Sequence, residues 1–110
     1  MRDTIKQADS RPITQNYIVR ANRGKPRIWL EGKRLTHAGM AAGDHLIRIE
    51  AFGTLILQKQ VNGSRKVSGN PDRPIIDLSG SSCEPFETGD PVTIEYHSAG
   101  HIVIKRGAAQ

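Results

Sequence analysis

Four histidines, one cysteine and two Gly-Asp pairs are where chemistry would first be sought in this chain. Three residues, Ser-Ala-Gly, separate His97 from His101, and His45 and Cys83 are the further ligands a metal would recruit. Structural zinc sites draw on closely spaced Cys/His pairs. Neither a CxxC nor an HExxH spacing occurs here, and the two histidines flank an expected hairpin turn. Asp44 and Asp90 each follow a glycine. Paired carboxylates can shuttle protons, but a repeated Gly-Asp is explained more simply by side chains that accept turn N–H groups. The serines before Cys83 have no base beside them, and GSRKVSG lacks the spacing of a phosphate-binding P-loop. No catalytic residue, metal or cofactor is expected, so the chain does not read as an enzyme.

Charge is the stronger signal. Sixteen Lys and Arg stand against eleven Asp and Glu, a net charge of +5. The balance is uneven. Residues 1–73 hold 14 basic and 6 acidic side chains, whereas residues 74–110 hold 2 and 5. A strong positive field on one half predicts a polyanionic partner, most simply nucleic acid. The densest segment carries Arg20, Arg23, Lys25, Arg27, Lys33 and Arg34 against Glu31 alone. Lys59, Arg65, Lys66 and Arg73 form a second basic patch, of which the first three join the candidates. These nine are the candidate contacts to duplex DNA, through phosphates whose counterions binding would release. Only five aromatic residues occur, so a stacking platform for single strands is not expected.

The elements that must position these charges come as a repeat. Residues 26–58 read as strand, short helix, Gly-Asp turn and β-hairpin, from the alternation around Ile28 and Leu30 and from Gly43-Asp44 and Gly53. The order returns in residues 74–106. Pro26, Ile28, Leu30 and Gly32 recur as Pro74, Ile76, Leu78 and Gly80, 48 residues on. Gly43-Asp44 recurs as Gly89-Asp90, and Gly53, Leu55 and Leu57 as Gly100, Ile102 and Ile104. A short unit that cannot bury its apolar face alone needs a partner copy. The second copy's helix is degenerate, with Pro85 limiting it to about one turn.

One domain is expected from 110 residues. It divides into an N-terminal arm and first strand (1–24), a first unit (25–60), a basic linker (61–73) and a second unit (74–107). Within the arm, residues 1–12 are expected to be mobile. Ile13, Tyr17, Ile18 and Val19 then suggest a strand, and Trp29 is expected in or partly in the core. No apolar run approaches the ~20 residues of a membrane span. The polar N-terminus and single cysteine fit a cytoplasmic protein.

The ordered pattern resembles the AbrB-like (SpoVT-AbrB) swapped-hairpin family, and more closely its SymE-like branch. The residues that carry the likeness are Ile28, Leu30, Gly32, Leu35, Ala38, Gly39, Met40 and Gly43, with Pro12-Ile13-Thr14 and Tyr17 upstream. It covers residues 12–58 well and 74–106 as an echo. The resemblance implies a mainly β protein with one or two short helices, in which two tandem β-α-β-β units exchange hairpins to close one barrel. It further implies a DNA-binding transcription regulator or a toxin–antitoxin component. Arg27, Lys33 and Arg34 stand where such barrels carry DNA-binding arginines, whereas the second unit has Ile75, Ser81 and Ser82. A homodimer would restore two basic faces. The alternatives are a protein-interaction module docking through the acidic second half, as an antitoxin or a phage- or plasmid-encoded inhibitor does, and an RNA-cleaving toxin with His37 as its centre.

Overall fold

The computed structural model describes residues 11–107. The arm expected over residues 1–12 lies outside them apart from Arg11 and Pro12, as does the tail after Gly107. Ten strands follow in order among the described residues: β1 (Ile13–Ile18), β2 (Arg20–Asn22), β3 (Lys25–Glu31), β4 (His45–Ala51), β5 (Thr54–Lys59), β6 (Arg65–Lys66), β7 (Ser68–Asn70), β8 (Arg73–Ser79), β9 (Pro91–His97) and β10 (His101–Arg106). One helix, α1 (Lys33–His37), follows β3, and a 3-10 turn (Gly80–Cys83) follows β8. The protein is mainly β, as expected. Among the described residues no helix is long and apolar enough to cross a membrane.

The strands form two sheets. One has six strands in the order β1-β9-β10-β5-β4-β6, the other four in the order β2-β3-β8-β7. Alternation sets the faces. Ile28 and Leu30 of β3 and Ile76 and Leu78 of β8 are buried, and their odd-numbered neighbours face outward. Leu55 and Leu57 of β5 and Ile102 and Ile104 of β10 bury the centre of the larger sheet. The α1 helix is too short to persist in isolation. Burial of Leu35, Ala38 and Met40 holds it, and Gly39 ends it in the left-handed region at φ 74°.

The ladder registers carry the repeat into three dimensions. In β3–β8, Trp29 pairs with Asp77, its own counterpart 48 residues on, and Ile28 pairs with Leu78 as Leu30 pairs with Ile76. In β5–β10, Ile56 pairs with its counterpart Val103. Both ladders are therefore symmetric about a local two-fold axis. The segments before each unit obey it too. Val19 brackets the turn of the second unit, its N–H donating to Asp90 O at 2.9 Å and its carbonyl accepting from Gly89 at 2.8 Å. Val67 does the same for Asp44 and Gly43 of the first, both at 2.8 Å. Each segment thus locks the other copy's turn, and both valines are buried. The basic linker therefore contains β6 and β7, the counterparts of the end of β1 and of β2.

The two copies differ where the helix shrinks. Arg48 of β4 pairs with Leu57 as Ile94 of β9 pairs with Ile104, so the two occupy equivalent positions. Ile94 is buried, whereas Arg48 donates to the carbonyls of Ser82 (2.8 Å), Glu84 (2.5 Å) and Ser81 (3.4 Å). The Ser81 carbonyl already accepts the Glu84 N–H at 3.1 Å, whereas those of Ser82 and Glu84 at the end of the 3-10 turn take this guanidinium as their donor. Arg48→Ala is expected to lower unfolding free energy by about 1.5–3 kcal/mol, the scale of hydrogen bonds to a charged group. Arg48→Lys should recover little of it, since an ammonium lacks the fork geometry. Gly63 packs against the Leu46 backbone so closely that a Cβ would overlap it. Gly63→Ala is expected to cost about 1–3 kcal/mol as overpacking. Urea titration of both variants measures these values.

Candidate functional site

Register fixes which side chains share the outer face of the four-stranded sheet. Directly opposite residues point the same way. Arg20 pairs with Arg27 and Asn22 with Lys25; Arg27 pairs with Ser79, Trp29 with Asp77, and Asn70 with Arg73. Four cations, Arg20, Lys25, Arg27 and Arg73, therefore share this face with the acids Glu31 and Asp77. Arg23, at φ 55°, sits with Gly24 in the turn between β2 and β3. Lys33 and Arg34 lie exposed on α1, at the other end of β3. These six, the densest cationic segment of the sequence, thus occupy one sheet face and both its ends. Lys59, Arg65 and Lys66 belong to the six-stranded sheet. Arg65 and Lys66 pair with Leu46 and His45 at its edge, just before β7.

Two of the nine candidates are already engaged within the chain. Arg27 makes a two-pronged pair with Asp77, both contacts at 3.0 Å, and its guanidinium stacks 4.7 Å from the Trp29 ring centre. Donating to the Asp77 carboxylate raises the Arg27 pKa above its ordinary value. Lys59 pairs with Asp44 at 3.2 Å and donates to Gly39 O at 2.9 Å. The other seven make no ion pair among the described residues. Arg73, grouped by sequence with the linker's basic patch, stands instead on the four-stranded sheet as the 48-residue counterpart of Lys25.

Sequence reasoning missed a cleft of about 390 Å³ lined by Gln15, Tyr17, Arg20, Arg27, Trp29, Leu30 and Glu31. It opens where the chain breaks at Val19: β1 joins the six-stranded sheet while β2 stays with β3. Past Arg27, β3 has no strand on that side, and the Trp29 N–H donates to the Tyr17 hydroxyl oxygen at 3.0 Å instead. The Trp29 indole N–H donates to Glu31 at 2.6 Å on the outer face of the sheet. The half-buried ring therefore stands outside the core cluster rather than in or partly in the core as expected, because its odd-numbered place on β3 points away from Ile28 and Leu30. The Arg20 guanidinium lies 5.9 Å from the Tyr17 ring centre. Two of the five aromatics, scattered in sequence, meet here between two arginines.

The remaining chemical candidates have structural partners. Asp44 accepts the Ala41 N–H at 2.8 Å and Asp90 the Glu87 N–H at 2.9 Å, the turn-capping role expected of both. His45 Nδ1 donates to Gly63 O at 3.0 Å and His37 Nε2 to Arg11 O at 3.2 Å. His97 and His101 pair across the β9–β10 hairpin with ring centres 4.5 Å apart, and His97 Nε2 donates to Glu95 at 3.1 Å. Cys83 is buried, which pushes its thiol pKa up, and its S–H donates to Leu78 O at 3.3 Å. Burial likewise raises the Tyr96 phenol pKa, and that hydroxyl donates to Gln15 at 2.5 Å.

No family model, curated protein or solved structure matches the chain. The site therefore rests on its geometry alone.

That geometry sets a pH dependence. The Ala41 N–H, then Lys59, hold the Asp44 carboxyl below its ordinary pKa, and the Glu87 N–H, then Arg106, do so for Asp90. Lys105 and His97 depress Glu95. Folding lowers these pKa values, so their stabilisation is complete above the ordinary carboxylate range near pH 4 and is lost as pH falls through the depressed folded values. The melting temperature is expected to drop below about pH 4. An Asp44→Asn/Asp90→Asn double variant should be less stable at pH 7 and show a shallower acid loss. Melting curves from pH 7 to 2 check both.

Proposed function

We propose that this protein binds nucleic acid, duplex DNA foremost, through the cations around its four-stranded sheet, as a small regulator or a toxin–antitoxin component. One observation carries the reading. Among the described residues, every Lys or Arg without an ion pair lies between residues 11 and 73, whereas Lys105 and Arg106 are both paired, with Glu95 and Asp90. Six of these unpaired cations, Arg20, Arg23, Lys25, Lys33, Arg34 and Arg73, lie on the four-stranded sheet or at its ends, which is the electrostatic footprint of a phosphate-binding surface. The acids of the second half include Asp77, Asp90 and Glu95, all paired within the chain, so docking of that half on a basic protein is the less favoured alternative. The RNA-cleaving alternative gains nothing from His37, whose Nε2 donates to a backbone carbonyl.

The fold reading that goes with this function is the swapped-hairpin barrel of AbrB- and SymE-like proteins. Its support is the two-fold ladder symmetry and the exchange in which Val19 and Val67 lock each other's turns. On this reading one chain supplies both copies of the unit and one cationic sheet.

Gel shifts of a 20-base-pair duplex at rising salt test the proposal. Affinity should fall linearly on a log–log plot. Changing Arg20, Lys25, Lys33 and Arg34 together to Ala should weaken binding about 100-fold or more at low salt and lower the slope by up to about 4, near one per lost phosphate contact. Retained affinity and slope in that variant would remove the site from consideration.

A further inference from the structure

We propose that the cleft between β1 and β3 holds one unpaired nucleotide, its base against Tyr17 and Trp29 and its phosphate on Arg20. This rests on the nucleic-acid reading above and names a second mode of contact within it. The cleft volume, about 390 Å³, falls within the range of small-ligand sites. Its charges are graded along β3. Arg20 and Arg27 lie directly opposite each other, an arrangement that repels. Asp77 neutralises Arg27 through both carboxylate oxygens, yet Arg20 has no acid partner among the described residues. A phosphate at Arg20 would supply the second anion this pair lacks.

Glu31 stands at the other end, four residues or about 13 Å along the strand from Arg27. Its carboxylate would repel an acidic peptide lying along the cleft but would accept a hydrogen bond from the exocyclic amino group of a base. Between the two ends lie the aromatic side chains, and arginine planes and aromatic rings are what unpaired bases stack on. Bases inside a duplex are stacked on each other and cannot enter, so this cleft answers to single-stranded segments. The ligand class is therefore a nucleotide with an amino-bearing base, in DNA or RNA.

Trp29 is the only tryptophan in the chain, so its emission reports the site directly. The full-length protein is titrated with dC12, with the RNA C12 and with a 20-base-pair duplex, and the duplex is also followed by gel shift. Quenching of Trp29 by dC12 or C12 is expected, and whichever quenches identifies the source. Arg20→Ala, a change at an exposed position, should weaken that quenching titration about ten-fold. Trp29→Leu, followed by anisotropy of labelled dC12, should lose about ten-fold or more, the scale of one base–aromatic stack. A duplex shift with no quenching by either single strand would overturn this inference while leaving the proposed function standing. Quenching of equal affinity in Arg20→Ala would overturn it as well. Quenching without any duplex shift would support the cleft and remove the duplex reading.

Discussion

Neither half of this chain can bury its apolar surface without the other, and the β5–β10 ladder is where that need is met. Leu55, Leu57, Ile102 and Ile104 come from two separate hairpins and are fully buried side by side in the middle of the larger sheet. Each such side chain contributes about 1.5–3 kcal/mol on burial. The exposed ion pairs, such as Lys105–Glu95, are worth roughly 0–1 kcal/mol each. Apolar burial across the two-fold axis therefore dominates, and the charges are free to be placed for other purposes.

The axis also explains the crossing of the upstream segments. Val19 and Val67 each leave one sheet and enter the other, and at the crossing each closes a Gly-Asp turn belonging to the opposite copy. That crossing opens the cleft beside Trp29. A strand that continued in one sheet would have covered the β3 edge beyond Arg27. The same geometric device thus ties the halves together and leaves the candidate site exposed.

A symmetric scaffold carries unsymmetric chemistry. On the axis itself Trp29 faces Asp77, and beside it Arg27 holds the position that Ile75 holds in the second copy. Asp77 is the acid that pairs with Arg27, so the substitution that distinguishes the copies also joins them. Arg48 tells the same story on the other sheet: where the second unit loses its helix, the first unit places a guanidinium at the position of a buried isoleucine, and it bonds the carbonyls the shortened turn leaves over.

Local chemistry was enough to predict much of this. The alternation around Ile28 and Leu30, the glycines of the tight turns and the recurrence of Gly-Asp predicted strands, hairpins, turn-capping aspartates and a mainly β chain, because each depends on neighbours within a few residues. The doubled pattern pointed to two copies in contact. Pairing partners far apart in sequence lay beyond such reasoning. That Arg27 meets Asp77, that Tyr17 meets Trp29, and that Arg65 and Lys66 join a different sheet from Arg20 all follow from strand order and register. Those are set by which apolar faces can be buried together across the whole chain, a condition that no short window of residues contains.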